Sequence, residues 1–139
     1  MLFRSGMKSM KKHIDIFENL DYYSSMKNMK EVIYMFGLFS KSNVKGVNGK
    51  EVKDFIKAEK DLVIIDIRTS MEVAGGKIPN AKHIDFYGSS FQKEIDKLNR
   101  DKKYLVYCAA GGRSKSACGI MDKMGFKNIY ELKGGYGAY

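Results

Sequence analysis

From Val44 onward the sequence predicts an α/β domain, a parallel sheet with helices on both faces. Three observations carry this. Leu62-Val63-Ile64-Ile65-Asp66-Ile67 and Tyr104-Leu105-Val106-Tyr107 are near-continuous apolar runs, the mark of strands covered on both sides. Segments with helical spacing alternate with such runs. Glycine, proline, serine and asparagine fall between them as punctuation.

The elements follow in order. Val44 to Val47 reads as a short first strand, with Asn48 as the N-cap of a helix through Val52, Phe55 and Ile56. Leu62 to Ile67 is the second strand. Ser70 is placed to cap a helical turn through Val73 that Gly75-Gly76 ends. Pro79 turns the chain into a short strand around Ala81 to Ile84. Ser89 or Ser90 then caps a helix carrying Phe91, Ile95 and Leu98. Tyr104 to Tyr107 is the next buried strand, a helix runs through Ser116 to Met124, and Asn128 to Leu132 is the last strand.

Residues 1–43 differ from this rhythm. They hold most of the methionines and many lysines, and they read as an N-terminal extension that is helical in part. Met26 to Phe39 places Met29, Val32, Ile33, Phe36 and Phe39 on one helical face, suited to packing on the domain. Lys27, Lys30 and Lys41 leave an interfacial anchor as the second reading. The longest apolar run, Val32 to Phe39, is far short of the ~20 residues a membrane span needs, so no transmembrane segment is expected.

The 139 residues, 44% hydrophobic and 29% charged, are those of a globular protein. A net charge of +9 favours small anionic substrates or acidic partners. The lysines and arginines are interleaved with acids, so no specific nucleic-acid groove is expected. Cys108 and Cys118, with only His13 and His83 elsewhere, form neither a metal-ligand pattern nor a disulfide framework. No metal or other cofactor is expected, and the setting reads as cytoplasmic.

Chemistry concentrates in Cys108-Ala109-Ala110-Gly111-Gly112-Arg113-Ser114, between a buried strand and a helix. A cysteine there meets backbone N–H groups and a helix N-terminus, which lower a thiol's pKa and attract anions. Gly111 and Gly112 are expected to let the loop curl so that several N–H groups point inward. Such a thiolate either carries sulfur or attacks an oxyanion. Asp66 and Arg68 close the neighbouring run and are expected to converge with the Cys108 loop at one mouth, beyond the strands' carboxyl ends. Buried Asp66 needs a cationic or N–H partner. Arg113 either orients the loop by pairing with Asp66 or Glu72, or faces the bound anion. Ser114 reads as a helix cap and Cys118 as a buried structural thiol.

Leu62 to Ile84, LVIIDIRTSMEVAGGKIPNAKHI, resembles the Asp-x-Arg segment of rhodanese-like domains. CAAGGRS is similar to their active-site loop and ELKGGYGAY to their closing segment, so the resemblance covers residues 44–139. It implies a rhodanese-like fold with an open five-stranded parallel sheet. It also implies a sulfurtransferase working through a Cys108 persulfide, with thiosulfate or a persulfide as donor and a thiol or protein as acceptor. Lys77 stands where many members have His, Tyr139 where Trp is usual, and Ala109 where thiosulfate-using members carry a basic residue. Cys108 to Arg113 is Cys-x4-Arg, whereas related dual-specificity phosphatases have one residue more. The shorter ring favours sulfur over phosphate. A phosphatase or arsenate-reductase-like enzyme and a non-catalytic sulfur-relay module are the alternatives.

Overall fold

The computed structural model describes residues 41–139; the helix expected over Met26 to Phe39 lies outside them. The elements are β1 (Val44–Val47), α1 (Val52–Ala58), β2 (Val63–Asp66), α2 (Ser70–Ala74), β3 (Lys82–His83), α3 (Phe91–Asp96), β4 (Lys103–Tyr107), α4 (Gly112–Lys123) and β5 (Asn128–Leu132). A 3-10 turn over Tyr136–Ala138 follows. The five strands form one sheet in the order β1-β5-β4-β2-β3, every pair parallel. The predicted α/β fold is the observed one.

Side chains alternate across a strand, so each central strand feeds two cores. Ile65, Ile67, Tyr104, Val106 and Ile129 enter a cluster with Phe91 and Ile95 of α3 and Ala117, Cys118 and Met121 of α4. Ile64, Leu105, Tyr107 and Leu132 enter the opposite cluster with Val52, Phe55 and Ile56 of α1. Helices therefore cover both faces, which is why the two long runs lack a polar alternation. Each fully buried Ile or Leu contributes about 1.5–3 kcal/mol.

Three capping expectations need correction. Asn48 does not cap α1 with its side chain; its carbonyl accepts from Glu51 and Val52 N–H, and Glu51 is the cap residue. Thr69, not Ser70, caps α2, in a capping box with Glu72. Ser90 occupies the α3 cap position without a side-chain hydrogen bond, and Leu98 lies beyond the helix end. The second strand stops at Asp66 and the third contracts to Lys82–His83.

Candidate active site

Cys108 is the residue after β4, where the chain leaves the sheet for α4. It is 1% exposed. Its Sγ accepts the N–H of Gly111 at 3.1 Å and of Ser114 at 3.4 Å, and lies 3.5 Å from Ser114 Oγ. Ser114 Oγ also donates to the Gly111 carbonyl at 3.0 Å. With the thiol protonated, sulfur donates to Oγ and Oγ donates onward; loss of the thiol proton frees the hydroxyl to turn to sulfur. Burial pushes the Cys108 pKa up, but the Ser114 hydroxyl and the N–H groups of Ser114, Gly111 and Ala110 outweigh it, leaving the thiol below its ordinary value.

Two glycines make this geometry possible. Gly111, the N-cap of α4, has φ 115, a left-handed conformation that turns its N–H toward sulfur. Gly112 was expected to share that task, but it is an ordinary first helical residue, and a Cβ there would meet nothing within 4 Å. The second essential glycine lies elsewhere in the chain. Gly135 has φ 64, and a Cβ on it would fall 2.5 Å from Ala109 backbone atoms and 2.6 Å from the Cys108 carbonyl oxygen. Beside it, Tyr136 N–H donates to Cys108 O at 2.7 Å and Gly137 N–H to Ala109 O at 3.2 Å. The C-terminal turn thus fixes the start of the loop.

Arg113 turns sideways to Glu72, giving hydrogen bonds of 2.7 Å and 2.8 Å to its two carboxylate oxygens. Of the alternatives open in the sequence, this pairing is the one present. Glu72 Oε1 also accepts from Thr69 N–H and its hydroxyl, so one carboxylate caps α2 and clamps the loop. Arg113 holds its carboxyl down to about 2, while burial opposes this and Thr69 assists. An open pocket of about 410 Å³ lies above the sulfur, with walls that include Phe86, Tyr87, Ala109, Ala110, Arg113 and Ser116. Phe86 and Tyr87 carried no sequence signal beyond aromatic character before a helix.

Asp66 and Arg68 do not reach this pocket. β2 and β4 are neighbours, as the convergence argument required, but the register sets Asp66 opposite Tyr107, so these two share a face. Cys108, one residue on, faces the other way. Asp66 instead accepts from Arg68 N–H and Nε at 3.0 Å, and its other oxygen accepts from Arg68 at 2.7 Å and Tyr107 hydroxyl at 2.5 Å. Burial raises the Asp66 pKa, but Arg68 and Tyr107 hold it below the ordinary carboxylate value. Arg68 also donates to Gly76 O at 2.7 Å and lies over the Tyr136 ring, 4.2 Å from its centre.

Ser114 lies in the first turn of α4 and does not cap it. Cys118 is fully buried in the α4 core, where burial pushes its thiol up to about 12. Tyr136 and Tyr139 stack 6.2 Å apart on the α1 side and take no part in the pocket wall. Among the described residues no cluster of three or more His, Cys, Asp or Glu could hold a metal ion. No helix among them is long and apolar enough to cross a membrane.

Comparison with known proteins agrees with this geometry. The profile of the Rhodanese-like domain matches residues 48–139. YtwF of Bacillus subtilis, named as a sulfurtransferase, is 34% identical over 69% of this chain and 90% of its own. A protein of Coxiella burnetii named thiosulfate sulfurtransferase is 32% identical over 66% of this chain and 83% of its own. A tRNA uridine(34) hydroxylase of Pelagibacter ubique is 34% identical over 79% of this chain, but the match spans 37% of that protein. A crystal structure of a rhodanese-like domain protein from Staphylococcus aureus superposes with a TM-score of 0.61 at 30% identity, covering 68% of this chain and 89% of that one.

Proposed function

The chain belongs to the rhodanese-like domain family, and from that membership we propose that it is a sulfurtransferase carrying a sulfane sulfur on Cys108. The observation that carries the reading is the six-residue ring from Cys108 to Arg113, in which Sγ takes the N–H of Gly111 and, from the residue just after the ring, that of Ser114. The thiolate attacks the outer sulfur of a donor. A new S–S bond forms at Cys108, the donor's own S–S bond breaks, and its electron pair leaves with sulfite or a thiolate. The terminal sulfur of the persulfide then carries negative charge, which the N–H groups of the loop stabilise. A thiol or protein nucleophile takes that sulfur and restores Cys108.

A small anionic donor, a thiol acceptor and a reducing cytoplasmic setting are parts of the same proposal. Two free thiols suit that setting. Hydrolysis of a phosphate ester is less well served. Both terminal nitrogens of Arg113 are held by Glu72, so they are not free to grasp a phosphate in a ring already one residue short. The hydroxylation in the Pelagibacter relative's name belongs to a protein of which this match is about a third.

Intact-mass measurement after exposure to a sulfane donor tests the reading. A gain of about 32 Da on the wild type, and none on Cys108→Ser, is the expected result. An equal gain on the variant, or no gain with thiosulfate or any organic donor, overturns it.

A further inference from the structure

Resting on the sulfurtransferase reading, we infer that the pocket selects organic sulfane donors of low charge, with Tyr87 as the residue that selects them. Hydropersulfides and thiosulfonates bearing an apolar or aromatic substituent are the class. The first ground is the cation count. Among the described residues lining the pocket, Arg113 is the one cation, and its two terminal nitrogens lie 2.7 Å and 2.8 Å from Glu72. Two loop N–H groups are already turned to Sγ. An inorganic dianion entering here loses hydration and meets no unpaired charge in return.

The second ground is the wall itself. Phe86, Tyr87, Ala109 and Ala110 present rings and methyl groups around the sulfur. Tyr87 is 71% exposed, yet it is placed: Phe86 meets it edge-on at 5.5 Å, and the Arg113 guanidinium carbon lies 5.8 Å from its ring centre. A large ring held at a pocket mouth with most of its surface open gains by covering that surface with an apolar group.

The chemistry balances without an added oxidant. With a hydropersulfide R–S–SH, Cys108 thiolate attacks the terminal sulfur, a new S–S bond forms at Cys108, the donor's S–S bond breaks, and R–S⁻ leaves with its electron pair. The proton passes to it, giving R–SH and the Cys108 persulfide anion. With an aryl thiosulfonate the leaving group is the arylsulfinate, and no proton moves.

Thiosulfate and benzenethiosulfonate make a matched pair of probes, differing by one charged oxygen against a phenyl ring. The rate of the 32 Da gain on Cys108 is measured for each with the full chain, Tyr87→Ser and Ala110→Arg, and thermal melting confirms folding. Comparing proteins cancels the donors' own reactivities. Tyr87→Ser is expected to slow the aryl donor about tenfold and thiosulfate less than about twofold. Ala110→Arg adds an unpaired cation at an exposed position away from the Gly135 contact, and is expected to speed thiosulfate about tenfold. Equal slowing of both donors by Tyr87→Ser, or no slowing of either, overturns the inference and leaves the sulfurtransferase reading standing. If neither donor labels wild-type Cys108, that reading itself fails, and this inference with it.

Discussion

Two acid–arginine pairs differ in burial, and their surroundings divide stability from chemistry. Asp66 and Arg68 have side chains 0% and 4% exposed, and their further hydrogen bonds join the Tyr107 hydroxyl and the backbone carbonyls of Gly76 and Glu72. Glu72 and Arg113 are 32% and 19% exposed and sit beside the Cys108 pocket. The contacts are alike in length, 2.7 Å in each. What differs is the cost of losing a partner. A buried charge left alone keeps its full desolvation penalty, while one at the rim recovers water. The inner pair should therefore hold the fold, and the outer pair should hold the loop.

The largest expected effect breaks the inner pair. Asp66→Asn leaves Arg68 charged, buried and short of its partner, and should cost about 3–5 kcal/mol. Denaturant unfolding reads this directly. The folded fraction should still alkylate at Cys108, since Asp66 makes no contact with the loop. Next is Gly135→Ala, at the place where the C-terminal turn presses on the loop. A left-handed φ and overlap with Ala109 should together cost about 2–4 kcal/mol and slow sulfur loading as the loop shifts. Stability and loading should fall together here, as in neither pair.

Glu72→Gln should invert the pattern of Asp66→Asn. The stability loss should stay below about 1 kcal/mol, as for other partly exposed pairs. Persulfide formation should slow about tenfold, because Arg113 no longer fixes the ring. A loss of several kcal/mol with unchanged loading would erase the distinction between the two pairs. The smallest effect concerns acid. The Glu72 pKa is lowered from 4.5 to about 2 in the folded protein, so its contribution is complete above 4.5 and fades as pH falls toward 2. Thermal melting from pH 6 to pH 2 should show Glu72→Gln losing slightly less stability than wild type. A difference that grows above pH 5 would assign the effect to another group.

Much of this arrangement was legible in the sequence. β1 and β5 fall at the expected residues because alternation and flanking turns bound them, and β4 begins one residue early at Lys103. The Cys108 loop was legible because strand, glycine pair and helix are contiguous. The relation of Asp66 to Cys108 was not. Knowing that two strands are adjacent leaves open a register shift of one residue, which decides the face on which a side chain lies. The Thr69 cap was missed because Thr69 and Ser70 are both competent, and only backbone dihedrals separate them. Gly135 gave no local sign of its contact with Ala109, since that contact joins residues distant in sequence.

The central claim is that backbone and Ser114 donors favour the Cys108 thiolate against the pull of burial. Alkylation rate against pH, measured on Cys118→Ala so that one thiol reports, tests it most directly. The account predicts a midpoint clearly below the ordinary thiol value of 9.0, with Cys118 in the converse Cys108→Ser protein at least about a hundredfold slower at neutral pH. A Cys108 midpoint at or above 9.0 would contradict it.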